Sequence, residues 1–91
     1  MRKFIWDENK NEKIKKERGI SFEEIADAIE AGFLLKGEPH HNPKYAHQVL
    51  LHVCLNKYVY TVPSEVNEGK IKFATVYPNR KAKKLYMGEK T

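Results

Sequence analysis

Apolar and polar positions along this chain repeat with two different periods, and the change from one to the other locates its elements. Residues 4–6, Phe4-Ile5-Trp6, form a short apolar run that predicts a first strand. From Asn9 to Arg18 the chain is mostly charged, with Ile14 its main apolar residue. This predicts a helix that turns only a narrow stripe toward a core. Asp7 is placed to cap it by accepting from the unbonded amides of the first turn. Gly19 fits the left-handed residue that often ends a helix. The next helix is strongly patterned: Phe22, Ile25, Ala26 and Ile29 fall at i, i+3, i+4 and i+7. Ser21 and Glu24 make a capping box, Ile20 and Ile25 a hydrophobic staple, and Gly32 ends the run.

Beyond Gly32 the period falls to two. Residues 33–35 predict a short strand, and residues 37–43, bounded by Pro39 and Pro43, predict a loop. Residues 45–55 predict a long strand. Val49, Leu51, Val53 and Leu55 share one face, with Gln48, Leu50, His52 and Cys54 on the other. Asn56-Lys57 suits a two-residue hairpin turn. Residues 58–62 return antiparallel with Tyr58, Tyr60 and Val62 toward the core. Residues 63–69 read as an acidic loop. Residues 71–77 form the last strand, with Ile71, Phe73, Thr75 and Tyr77 on one face, and Pro78 stops it before a short cationic helix. Elements segregated in this way predict an α+β fold: two N-terminal helices and a short C-terminal helix packed on a small antiparallel β-sheet.

Ninety-one residues bound the chain to one domain, residues 1–91, with a small core. No apolar run approaches the roughly 18–20 residues of a membrane span. The start reaches Asp7 before an apolar signal region develops, so a cytoplasmic protein is expected. Cys54 is the only cysteine; it excludes an internal disulfide and reads as a small buried hydrophobe. The net charge of +5 is uneven. Residues 79–91 carry Arg80, Lys81, Lys83, Lys84 and Lys90 against Glu89 alone. Residues 1–18 are also cationic, whereas the middle of the chain is net acidic. Cationic ends point to a phosphate-rich or acidic partner, if they are more than solvated helix faces.

Four stretches carry a resemblance: Phe4-Ile5-Trp6-Asp7, then Asn9-Lys10-Asn11, then residues 18–24 (Arg-Gly-Ile-Ser-Phe-Glu-Glu), then Arg80-Lys81-Ala82 with Tyr86. In order and spacing this resembles the BrnT family of toxins, and the resemblance runs from Phe4 to Tyr86. It implies a RelE-like fold and a metal-independent endoribonuclease of a type II toxin–antitoxin system. The implied partner is a cognate DNA-binding antitoxin that masks the toxin. Where that family usually carries a Glu-x-Arg pair entering the central hairpin, this chain reads Lys44-Tyr45-Ala46-His47-Gln48, and Lys83 and Lys84 stand where a glutamate is often found.

RNA cleavage without metal needs a base for the 2′-OH, cations for the phosphorane oxygens and an acid for the departing 5′-oxygen. Arg80 is the first candidate for phosphate, because a guanidinium fork fits phosphate oxygens. Lys81, Lys83 and Lys84 add field around it, and Lys10 and Lys13 extend an RNA track, although singly each reads as a solvated lysine. Tyr86 can anchor the last helix, stack a base or donate a proton. Of the four histidines, His47 stands nearest the family's charged pair and is the candidate base. His52, deep in a strand, reads as a satisfied sheet histidine. The histidines and Cys54 follow no standard ligand spacing, so neither metal nor cofactor is expected. The nuclease reading expects both cationic ends to converge over one face of the sheet with Arg80 turned toward a cleft. Its alternative is a non-catalytic nucleic-acid- or protein-binding module on the same fold.

Overall fold

The computed structural model describes residues 3–87; Arg2, Glu89 and Lys90, which enter the end charges, lie outside the described residues. The elements run β1 (Lys3–Ile5), α1 (Glu8–Arg18), α2 (Phe22–Glu30), β2 (Leu34–Pro39), a 3-10 turn (Pro43–Tyr45), β3 (Gln48–Leu55), β4 (Tyr58–Asn67), β5 (Lys70–Phe73), β6 (Tyr77–Pro78) and α3 (Arg80–Met87). The sheet order is β1-β5-β4-β3-β2, with β6 also paired to β4.

The local chemistry of the two N-terminal helices is the one expected. Asp7 accepts from the backbone N–H of Asn9 at 2.8 Å, and Gly19, at φ 70°, closes α1 in the left-handed region. Ser21 caps α2 by accepting from the Glu24 N–H at 3.1 Å. A polar tie absent from the hydrophobic pattern joins the two helices. Asn11 is fully buried; its Oδ1 accepts from the Phe22 N–H at 2.8 Å while its Nδ2 donates to Glu23 at 2.7 Å and Glu8 at 3.2 Å. The α2 core stripe also differs in one position: Ala28 is buried, whereas Ala26 is only partly so.

Phe22, Ile25 and Ile29 of α2 and Ile14 of α1 pack on Leu51, Val53, Val62, Ile71 and Phe73, forming one apolar core. The Phe73 ring lies 5.3 Å from that of Phe4, 5.5 Å from Phe22 and 6.0 Å from Trp6. This explains why an apolar run as short as Phe4-Ile5-Trp6 forms a strand: it closes the aromatic end of the core. Its partner is β5, and the pairing is parallel. The sheet is therefore mixed, not wholly antiparallel.

Several strand boundaries differ from the sequence expectation. β3 begins at Gln48 and not at Tyr45, because Pro43–Tyr45 form a 3-10 turn that Asn42 caps by accepting from the Lys44 N–H at 3.0 Å. β2 runs on through Gly37 to Pro39 because each of its residues from Lys36 onward meets a partner on β3. β4 continues through Pro63 to Asn67 instead of entering a loop. In an antiparallel strand a residue's N–H and C=O point to the same side. The Pro63 carbonyl accepts from Ala74 N–H at 2.8 Å, so the missing proline N–H faces away from β3. It falls where Ala74–Val76 leave the ladder, and the strand forgoes no bond there. The same break divides the expected strand 71–77 into β5 and β6. Val76, not Thr75, is buried, and Tyr77 pairs with Thr61, on the face opposite the main core. Pro78 belongs to β6. The hairpin turn is as expected, Asn56 and Lys57 both taking positive φ, 53° and 63°.

The helices occupy opposite faces of the sheet. α1 and α2 cover the side that carries Leu51 and Val53. α3 lies on the other side, where Tyr86 meets His52 and Asn79 meets Thr61. The two cationic ends therefore do not converge over one face. The reason is topological: Asn79 leaves the sheet with its N–H on the Val59 carbonyl, and α3 folds back over the face that α1 and α2 leave uncovered.

Candidate functional site on the α3 face

The alternation of β3 and β4 sets Leu50, His52, Val59, Thr61 and Pro63 on the α3 face. Lys36 and Glu38 of β2 align with His52 and Leu50. Over this surface lies α3, with Ala82 buried and Arg80, Lys81, Lys84 and Leu85 exposed. Asn79 caps the helix: its Oδ1 accepts from the Ala82 N–H at 3.0 Å, while its Nδ2 donates to Thr61 Oγ1 at 2.8 Å.

Thr61 leads on to a polar chain. His52 Nδ1 is 2.8 Å from Thr61 Oγ1, and His52 Nε2 is 2.7 Å from Glu38 Oε2. An ionised carboxylate only accepts, so Nε2 carries the proton and donates to Glu38. In the neutral ring Nδ1 then accepts from the Thr61 hydroxyl, whose oxygen accepts from Asn79. The tautomer follows from this network. Thr61 is 0% exposed and His52 4%, so the chain runs inside the protein from the edge strand β2 to the start of α3. The Tyr86 ring lies 5.9 Å from that of His52. His41 adds a second imidazole, its Nε2 3.7 Å from Glu38 Oε1.

Glu38 is held below the ordinary carboxylate range, first by the hydrogen bond from His52, with burial opposing and the charges of His52, His41 and Lys36 assisting. The cluster therefore offers an ionised carboxylate, an imidazole of defined tautomer and a phenol from α3. The phenol and the carboxylate are both only partly buried, whereas the imidazole is buried.

The sequence-derived candidates are dispersed. Arg80 begins α3 beside the hairpin end, next to Asn79. His47 precedes β3 at the strand's other end, exposed, with its Nε2 3.8 Å from Glu65. Gln48 to Cys54 spans roughly 20 Å at about 3.3 Å per residue, so Arg80 and His47 do not share one reacting phosphate. Tyr86 lies against His52 instead of His47. Lys83 sets its Nζ 5.4 Å from the centroid of the Tyr58 ring. Lys10 and Lys13 line a surface hollow with Ala74 and Thr75 on the α1 side. The residue that sequence reasoning passed over is Glu38. The only signal for it was its place two residues before the His40-His41 pair, within a segment that reads as a loop.

Among the described residues no cluster of metal-ligating side chains is present, and no helix is long and apolar enough to cross a membrane. Comparison with protein-family models, curated proteins and solved structures finds no match to this chain.

Proposed function

We propose that this chain is a metal-independent endoribonuclease toxin, RelE-like in fold and held inactive by a cognate DNA-binding antitoxin, with its RNA surface on the α3 side of the sheet. The observation that carries this reading is α3 itself. It presents Arg80, Lys81 and Lys84 outward and holds Tyr86 against the Glu38–His52 pair. The resemblance of residues 4–86 to the BrnT toxins supports it. Because α1 lies on the far face, a two-ended cationic grip is not part of the proposal, and Lys10 and Lys13 are not assigned to the same surface. Arg80 and Lys81 hold phosphate, and Tyr86 stacks on or donates to the nucleotide that follows.

One observation favours a second reading, a non-catalytic nucleic-acid- or protein-binding module. Both nitrogens of His52 are engaged, and His47 stands apart from α3. Neither imidazole is therefore placed as a free base beside Arg80.

Incubation of the purified protein with RNA in the presence of a chelator separates the two. A 2′,3′-cyclic phosphate product that disappears with Arg80→Ala is the expected result. Binding without product, under conditions where the protein is folded, replaces the nuclease with the module.

A further inference from the structure

On the face away from α3, a groove of about 520 Å3 opens between the outer flank of α2 and the end of the β3–β4 hairpin. Ala28, Phe33 and Leu55 make its floor, and Glu24 and Asp27, one helical turn apart, stand on one rim. Phe33 is 52% exposed, so a large apolar ring is left uncovered there. α2 reads Phe-Glu-Glu-Ile-Ala-Asp-Ala-Ile-Glu and contains no base. The α2 rim of this apolar groove is thus acidic on a chain whose net charge is +5, while Lys57 of the hairpin turn lines the groove's other side. The natural complement is an apolar side chain for the floor with a cation beside it for the Glu24–Asp27 rim.

The chain itself carries that complement. α3 turns Ala82 and Tyr86 inward, which leaves Leu85 74% exposed, and Lys81 stands one turn before it, also exposed. We propose that α3 of a second copy docks in this groove, Leu85 covering Phe33 and Leu55, and Lys81 facing Glu24 and Asp27. The two surfaces differ, so the contact is heterologous and either closes into a ring or extends as a chain. A patch of this size makes a weak contact. The like net charges of two copies oppose it at long range. Salt with a Debye length of about 8 Å screens that repulsion more than it screens opposite charges in contact. The proposal does not depend on RNA cleavage.

Sedimentation velocity from about 10 µM to about 1 mM, without RNA, tests it over the range where weak contacts populate. The weight-average sedimentation coefficient should rise with concentration. Leu85→Asp and Asp27→Lys should each abolish the rise, and Asp27→Lys combined with Lys81→Glu should restore it. All three side chains are exposed, so these replacements leave the core unchanged. A monomer at every concentration, a rise that survives Leu85→Asp, or a charge swap that restores nothing overturns the proposal.

Discussion

Glu38 and His52 meet through a 2.7 Å contact between a carboxylate oxygen and Nε2, joining the edge strand β2 to β3 beneath α3. This contact gives Glu38 a pKa below its ordinary value of 4.5, with the hydrogen bond from His52 as the first cause.

A lowered carboxylate pKa stabilises the fold above the unfolded-state value and ceases to do so as pH falls through the folded value. Thermal stability should therefore decline as pH drops below 4.5. Glu38→Gln should show a shallower decline over that window. Glu23, also lowered, chiefly by its bond from Asn11, contributes in the same direction and remains in the variant. Melting curves at a series of acidic pH values measure this. Parallel slopes for the two proteins would mean that the Glu38–His52 contact does not form.

Asn79→Ala removes the α3 cap and the donor to Thr61 in one change. A cap alone is worth about 0.5–2 kcal/mol. Amide exchange in α3 should accelerate, whereas exchange in the β3–β4 ladder should change little. Asn79→Asp keeps the acceptor for Ala82 but loses the donor, so its effect should be intermediate.

Asn11→Ala leaves the Phe22 N–H without its side-chain acceptor inside the α1–α2 junction. The expected loss is about 1–3 kcal/mol by denaturant unfolding. Asn11→Asp should be worse at neutral pH, because a carboxylate would replace the amide that donates to Glu8 and Glu23. Wild-type stability in both variants would show that the buried amide does not tie the helices together.

The opposite placement of α1 and α3 predicts which cations matter to RNA. Arg80→Ala and Lys81→Ala should weaken binding, and each should lower the salt slope by about 0.7 for every phosphate it no longer neutralises. Lys10→Ala and Lys13→Ala should leave both affinity and slope near wild type. Fluorescence anisotropy with single-stranded RNA across a salt series measures this. Equal weakening from both helices would place RNA on both faces.

Much of the fold was legible because its signals are local. The Asp7 cap, the Ser21–Glu24 box, the left-handed Gly19 and the Asn56-Lys57 turn each depend on residues no more than a few positions apart. Period-two alternation likewise set Leu51 and Val53 on one face of β3 and Leu50 and His52 on the other. The strand ends were less legible. Pro39 and Pro63 are turn formers in isolation, and only their ladder partners keep them extended.

The chain's own pattern determined an α+β layout, an acidic α2 and a cationic α3. Only the tertiary structure decided that α3 crosses the face opposite α1, and that Glu38, fourteen residues before His52, becomes its partner. Periodicity tells which residues share a face of one element. It carries no information about which strand lies alongside, or which side of the sheet a returning helix covers. Those are fixed by long-range pairing and by the surface still uncovered when the rest of the chain has packed.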